Sequence, residues 1–256
     1  MNLDYPTMIR MASQVIWPIG RIGGLLLIVP VFSSALVPSR IRVFLLLAVS
    51  WVCAPMVPEN LSFLNFNGLY LVYIIQELFF GLLMGFVLQL VFQVFVLGGQ
   101  IIAMQAGMGF AVMVDPASKA SVPLIGQLYT MMMTLLFLAL NGHLTILEAL
   151  MDSFRIMPVG QISIEHSMVW SVIMFSGWMF KQALLISIPA LLSLLIVSLS
   201  FGVMARAAPQ LNIFSLGFPI TLLMGFVIIK IGLPSVAAQM ADSIVFGMKF
   251  IVGMLR

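Results

Sequence analysis

The chain has 256 residues, of which 62% are hydrophobic and 7% are charged, with a formal net charge of +3. Soluble domains carry about 25% charged residues, so this composition indicates a polytopic membrane protein, or a subunit of an assembly, without a separate soluble domain. The cationic residues are scattered singly, which argues against nucleic-acid binding. Cys53 is the only cysteine, which excludes an intramolecular disulfide and a cysteine-rich metal site.

Two apolar segments open the chain. The first covers roughly Ser13–Val37 and is interrupted by Arg21. The second, Val43–Val57, has 15 residues, fewer than the roughly 20 that a spanning helix needs. We therefore expect the second segment to form part of a hairpin or a buried helix.

The segment Leu69–Leu97 predicts a long helix that carries polar and small residues at every fourth position. This stripe consists of Glu77, Gly81, Gly85, Gln89 and Gln93. Residues four apart lie one above the other on a helix face, and small residues at that spacing permit close approach of a second helix. We predict that the stripe packs against another helix and contributes to assembly, with its polar members meeting protein or water.

A loop at Gln105–Pro123 interrupts the apolar sequence near the middle of the chain. Gly107 and Gly109 permit backbone angles that other residues resist, and Pro116 pushes Asp115 out of helical geometry. Irregular backbone is tolerated at membrane depth only where it is buried in protein or lines a watery cavity. We therefore predict that this loop closes a pore.

The sequence after the loop alternates apolar segments with polar breaks. Leu124–Leu140 predicts an apolar helix. A polar linker is then expected around Pro158 and Gly160, marked by Glu148, Asp152, Arg155 and Glu165. Val169–Ala205 is long enough for a kinked helix or a hairpin. Lys181 lies inside it, and we expect it to pair with a carboxylate of a neighbouring helix, because an unpaired charge within a membrane is costly.

The break at Arg206–Phe214 predicts either a solvated connection or a structured turn that contacts a neighbouring subunit or the base of the central loop. Its residues of interest are Arg206, Pro209, Gln210, Asn212 and Phe214. Leu216–Leu233 is expected to end at Pro234. An amphipathic tail should follow, with its apolar face formed by Val236, Met240, Ile244, Met248 and Ile251. Six spans with the cationic linkers inside would place the N-terminus outside.

No catalytic or cofactor-binding motif is visible in the sequence. His143 and His166 are the only histidines, and neither has metal-ligand spacing. We therefore expect a protein that is not an enzyme and has no cofactor. Broken apolar segments with polar residues also suit an ion-coupled transporter of small solutes, which binds its substrate near the membrane midplane.

Three motifs resemble the FliR family of type III export-gate subunits. They read QAGMGFAVMVDP at Gln105–Pro116, LALNGHLTILEALMDSF at Leu138–Phe154 and RAAPQLNIFSLGFP at Arg206–Pro219. The resemblance covers nearly the whole chain and is closer to the flagellar branch, with an injectisome gate subunit as the alternative. It implies an all-α fold of kinked hairpins and broken helices, packed in a hollow helical hetero-oligomer within the bacterial inner membrane at the centre of the flagellar basal body.

The same resemblance implies partners and a division of the chain. FliP-like and FliQ-like subunits would complete the gate, FlhB-like and FlhA-like components would adjoin it, and unfolded export substrates would pass through its lumen. Membrane lipid is a further expected contact. Residues 1–165 would correspond to a FliP-like part, and residues 166–256 to a FliQ-like part.

In the family, the loop that matches residues 105–121 projects into the lumen as a plug. The implied plug residues are Gly107, Met108, Gly109, Phe110, Ala111, Val112, Met113, Val114, Asp115 and Pro116. Apolar side chains at a constriction would seal the idle pore against ions, and the glycines would let the loop yield to a passing chain. A purely structural scaffold is the remaining alternative.

Overall fold

The computed structural model describes residues 5–34, 37–58, 68–108, 124–160, 166–207 and 213–255. These residues form eight α-helices and one short 3-10 turn, and none of them lies in a β-strand. The predicted all-α fold is therefore confirmed. The helix bounds differ from the sequence-based expectations at several places, and each difference has a local physical reason.

Three helices and the 3-10 turn precede the long central helix. Helix α1 covers Tyr5–Ile28, and α2 is the short turn Pro30–Ser33. Helix α3 covers Ser39–Cys53 and continues into the 3-10 turn Ala54–Met56. This second apolar segment packs against α1, which agrees with the expectation that it forms part of a hairpin, whereas the alternative of a buried helix is wrong. Apart from Ser50 and Cys53, α3 is largely exposed, as a helix that faces lipid or another subunit would be.

Helix α4 covers Gly68–Gln105, which makes it 38 residues long. It extends eight residues beyond the predicted end at Leu97, through Gly98 and Gly99. A Cβ built on Gly99 would lie 3.1 Å from the Cα of Gly126. Close packing of this kind explains why two consecutive glycines persist inside a helix that their propensity alone disfavours.

Helices α5 and α6 form a bent pair. Helix α5 covers Leu124–Ala139 and α6 covers Gly142–Ile156, with a bend of 66° between them. Asn141 makes the bend with a φ of 55°, in the left-handed region that Asn tolerates better than most residues. The expected polar linker starts later than its charged residues indicated, because residues 148–155 are helical, whereas residues 157–160 around Pro158 lie outside any helix. Helix α6 buries an apolar face and exposes the ion pair of Asp152 and Arg155, whose N–O distance is 3.1 Å.

Helices α7 and α8 are each 42 residues long, and they cover His166–Ala207 and Ile213–Met254. A hairpin within α7 is therefore excluded, and α8 does not end at Pro234 as expected. Proline is tolerated inside apolar helices where neighbouring helices and local adjustments satisfy the freed backbone groups. The predicted amphipathic face is confirmed, because its five members are all buried: Val236, Met240, Ile244, Met248 and Ile251.

The chain divides into two compact units. The first unit comprises residues 1–90, 141–176 and 244–256, and the second comprises residues 91–140 and 177–243. The expected division into residues 1–165 and 166–256 stays a prediction. Five of the described helices are long and apolar enough to cross a membrane, and the bent pair of α5 and α6 would make a sixth span. The chain is accordingly a membrane protein.

Candidate functional site

The base of the central loop is a defined helix cap. The N–H of Met108 donates to the carbonyl of Ala103 at 2.9 Å, and the N–H of Gly107 donates to Met104 at 3.1 Å. Gly107 has a φ of +83°. These two hydrogen bonds and the left-handed glycine form a Schellman motif, which satisfies the last carbonyl groups of α4. The central loop thus begins at a fixed point.

The cap packs against α8 within the second unit. Met108 is 8% exposed and Ala106 is fully buried. A Cβ built on Gly225 of α8 would lie 2.7 Å from the Cβ of Ala106 and 3.9 Å from the Cε of Met108. Phe218 covers the other side, since its ring would lie 3.2 Å from a Cβ on Gly107. The absence of side chains at Gly107 and Gly225 is what allows this contact.

The described residues include only the first two members of the predicted plug. Gly107 and Met108 belong to the anchored cap, so Met108 lies at the base of the loop. The other predicted plug residues fall outside the described ranges: Gly109, Phe110, Ala111, Val112, Met113, Val114, Asp115 and Pro116.

The first polar member of the α4 stripe, Glu77, lies in a buried ion pair with Arg21 of α1. Both side chains are 1% exposed. The Arg21 Nε donates to one carboxylate oxygen at 2.8 Å, and Nη2 donates to the other at 2.9 Å. This bidentate geometry is the strongest arrangement for an ion pair of arginine and carboxylate.

The remaining donors of Arg21 bind α6 and the backbone that follows it, within the first unit. Its Nη1 donates to the hydroxyl of Ser153 at 3.0 Å, and Nη2 also donates to the carbonyl of Met157 at 3.0 Å. The guanidinium carbon lies 4.3 Å from the ring centre of Phe154 and 5.1 Å from that of Phe80. One arginine therefore joins α1, α4 and α6 through hydrogen bonds and cation–π contacts.

The two glycines of the stripe lie against the same helix, α1. A Cβ on Gly81 would overlap the carbonyl of Arg21, and one on Gly85 would lie 3.1 Å from the carbonyl of Leu25. Helix α1 presents its own glycines in return, since a Cβ on Gly24 would lie 2.9 Å from the backbone N of Leu82. The contact is thus between two helices of one chain, whereas a contribution to assembly with other subunits stays a prediction.

The other predicted packing residues are less constrained. Gln89 and Gln93 are half-buried, and Arg206 is exposed near the end of α7. Pro209, Gln210 and Asn212 lie outside the described ranges. Phe214 lies in the first turn of α8, and its side chain is not among those described.

Lys181 has no carboxylate partner among the described residues, so the expected pairing with a neighbouring helix stays a prediction. Its side chain is exposed on α7, and the ion pairs found in the described ranges are those of Arg21 with Glu77 and of Arg155 with Asp152. Within the described residues, no group of three His, Cys, Asp or Glu side chains could hold a metal ion.

The sequence analysis did not predict two features of the contact between α1 and α4, although a sequence pattern indicates each of them. A charge inside an apolar segment needs a counterion, and Arg21 and Glu77 lie in the first and third apolar segments. Gly20 and Gly24 have the same four-residue spacing as Gly81 and Gly85. This spacing indicates that two helix faces formed by small residues pack closely against each other.

Comparison with known proteins shows which family the chain resembles. Residues 12–246 match the family model described as "Bacterial export proteins, family 1". The flagellar biosynthetic protein FliR of Escherichia coli (strain K12) is 32% identical over 222 residues, which is 86% of this chain and 84% of the relative. The FliR of Aquifex aeolicus (strain VF5) is 31% identical over 229 residues, covering 87% of this chain and 86% of the relative. The FliR of Buchnera aphidicola subsp. Baizongia pistaciae is 30% identical over 234 residues, covering 91% and 90%.

Proposed function

The chain belongs to bacterial export protein family 1, among the FliR flagellar biosynthetic proteins, and on that premise we propose that it is a subunit of the flagellar type III protein export gate. In this proposal it forms a channel for unfolded flagellar proteins with FliP-like and FliQ-like subunits, in the bacterial inner membrane at the centre of the basal body. FlhB-like and FlhA-like components adjoin the channel. The subunit acts as a conduit and seal, and catalyses no reaction.

The surfaces of the long helices support a role inside an assembly. Large apolar side chains such as Phe180, Ile196 and Val203 of α7 are more than half exposed, as is Ile231 of α8. Apolar faces of this extent need lipid or another subunit to cover them. Lys181 is exposed among them, and a carboxylate of a partner subunit or an aqueous lumen would satisfy it better than lipid.

The observation that carries the plug assignment is the anchored cap at Gly107 and Met108. A loop that seals a pore and survives the passage of substrates needs a base that does not move. The Schellman motif and the packing of Met108 against α8 supply that base. The sequence that follows, Gly109–Val114, is apolar apart from its glycine, and apolar side chains at a constriction exclude water and ions.

The decisive experiment deletes Gly109–Met113 and measures the assembled gate. We expect the gate to assemble, cells to become permeable to small ions and solutes, and secretion to persist, because the lumen stays intact. Phe110→Ser should leak less than the deletion, since part of the steric block remains. A deletion variant that assembles and shows no rise in membrane conductance would overturn the plug assignment.

A matched pair of methionines tests the anchored base separately. Met108 is 8% exposed whereas Met104, one turn earlier, is 70% exposed. Met108→Ser places a hydroxyl in the buried contact with α8 and should raise conductance, whereas Met104→Ser should leave it unchanged. Equal conductance of the two variants would show that the buried contact does not support the seal. A saturable flux of one small solute through the purified chain would instead favour a transporter.

A further inference from the structure

A groove between α1 and α3 has the form of a site for an amphipathic ligand. Its cavity has a volume of about 300 Å³ and lies within the first unit. Helix α1 supplies residues at positions i, i+3 and i+4, and α3 supplies residues at i, i+3, i+4 and i+7, so one face of each helix forms the wall. The lining residues are Gly23, Leu26, Leu27, Ser39, Arg42, Val43 and Leu46.

Arg42 makes one end of this apolar groove cationic. Its Nη2 donates to the carbonyl of Ser33 at 3.2 Å and to that of Ser34 at 2.5 Å, which fixes the guanidinium in place. The side chain of Arg42 is half-buried, and none of the lining residues carries a carboxylate that could neutralise its charge.

We propose that this groove binds an acidic phospholipid, with the headgroup phosphate at Arg42 and Ser39 and an acyl chain along Leu26, Val43 and Leu46. The charges near this end favour an anion. Ser39 opens α3, and the first turn of a helix carries free N–H groups and a partial positive charge. Arg40 adds a second cationic side chain, which is exposed. Basic residues close to a membrane surface attract acidic lipids.

The walls of the groove favour a lipid chain. Leu26, Val43 and Leu46 are apolar, and the exposed sides of Leu27 and Val43 leave the groove open to the hydrocarbon of a bilayer. A helix of a partner subunit is the competing occupant, which the crosslinking experiment below distinguishes from lipid.

Native mass spectrometry of the full chain, purified with its partner subunits from bilayers of equimolar phosphatidylglycerol and phosphatidylcholine, tests this proposal. We expect the wild type to retain phosphatidylglycerol preferentially. Arg42→Gln should reduce the ratio of the two retained lipids about fivefold, the effect of one basic residue near an anionic lipid. Arg155→Gln is the matched control, because this exposed arginine pairs with Asp152 outside the groove, and it should leave the ratio unchanged.

A second variant tests the acyl-chain part of the site and does not depend on Arg42. A Cβ on Gly23 would meet only Leu46 Cδ1, at 3.4 Å, so Gly23→Leu fills the cavity without striking backbone. It should abolish retention of the bound lipid, whereas Gly253→Leu, at an open position in the same unit, should not. Equal retention of the two lipids by the wild type would overturn the proposal. So would a photo-crosslinker at Val43 that captures a protein subunit in place of lipid. The result is independent of whether the central loop seals a pore.

Discussion

At the residue scale, Arg21 concentrates more interactions than any other side chain described above. It binds both oxygens of Glu77, the hydroxyl of Ser153 and the carbonyl of Met157 while 1% exposed. Removing two charges from water is costly, and their attraction offsets that cost only when the geometry is good and further hydrogen bonds satisfy the remaining polar groups. In this cluster the guanidinium has acceptors for each of its three nitrogens, so the pair can specify which helices meet.

The first prediction compares single and double removal of this pair. Arg21→Met leaves the Glu77 carboxylate buried and unpaired, and should destabilise the purified assembly by about 3–5 kcal/mol. Adding Glu77→Leu removes the stranded charge and should recover most of that loss. The readout is the midpoint of thermal denaturation in detergent.

The exposed ion pair of Asp152 and Arg155 in the same unit provides the control for that comparison. Arg155→Met should change stability by less than about 1 kcal/mol, because exposed pairs contribute little. If the double variant is as unstable as Arg21→Met alone, the loss comes from packing or from the contacts with Ser153 and Met157, and the ion pair is not the main term.

At the element scale, the contact between α1 and α4 depends on glycines from both helices. Gly81 and Gly85 face the backbone of α1, and Gly24 faces the backbone of α4. Two helices that approach this closely gain dispersion contacts along their length, which matters in a membrane because lipid removes the hydrophobic drive for helix association. The ion pair of Arg21 and Glu77 then sets the register of the two helices.

The second prediction exploits glycines in crowded and open positions. Gly81→Ala should force α1 away from α4, because the added Cβ overlaps a carbonyl group that cannot move independently. We expect a loss of about 1–3 kcal/mol or more and a lower yield of folded chain, with a larger effect for Gly81→Leu and Gly85→Leu.

Two substitutions serve as controls for the glycine series. Gly177→Ala lies in α7 with nothing within 4 Å of the added Cβ and should be neutral or stabilising by up to about 1 kcal/mol. Met84→Leu conserves volume at a buried site and should also be tolerated. A Gly81→Ala variant as stable as Gly177→Ala would show that the contact is looser than the structure indicates.

The elements differ in how much of them sequence could predict. The four-residue spacing of Gly81 and Gly85 is a local pattern, and the buried face of the α8 tail follows from the 3.6-residue period. Pro234 was wrongly predicted to end a helix, because proline usually breaks helices. In an apolar environment the backbone groups must be satisfied within the helix, and the helix therefore continues through the proline. The pairing of Arg21 with Glu77 joins residues 56 positions apart, so only tertiary structure shows which charge meets which.

At the scale of the whole molecule, helix length conflicts with a simple bilayer topology. Helices α7 and α8 have 42 residues each, which at about 1.5 Å per residue gives roughly 63 Å. The hydrocarbon core of a bilayer is about 30 Å thick. A large part of each helix must therefore lie outside the hydrocarbon, and the apolar side chains of that part need protein contacts there.

The last prediction follows from this mismatch. Expressed alone, the chain should be degraded or aggregate in detergent, because half of each long helix exposes apolar side chains that a single bilayer cannot cover. Co-expression with FliP-like and FliQ-like subunits should give a monodisperse complex with raised thermal stability, measured by light scattering and the denaturation midpoint. Co-expression with an unrelated polytopic membrane protein controls for general effects on membrane insertion. A stable, monodisperse chain purified without any partner would contradict this prediction and would mean that lipid alone covers these helices.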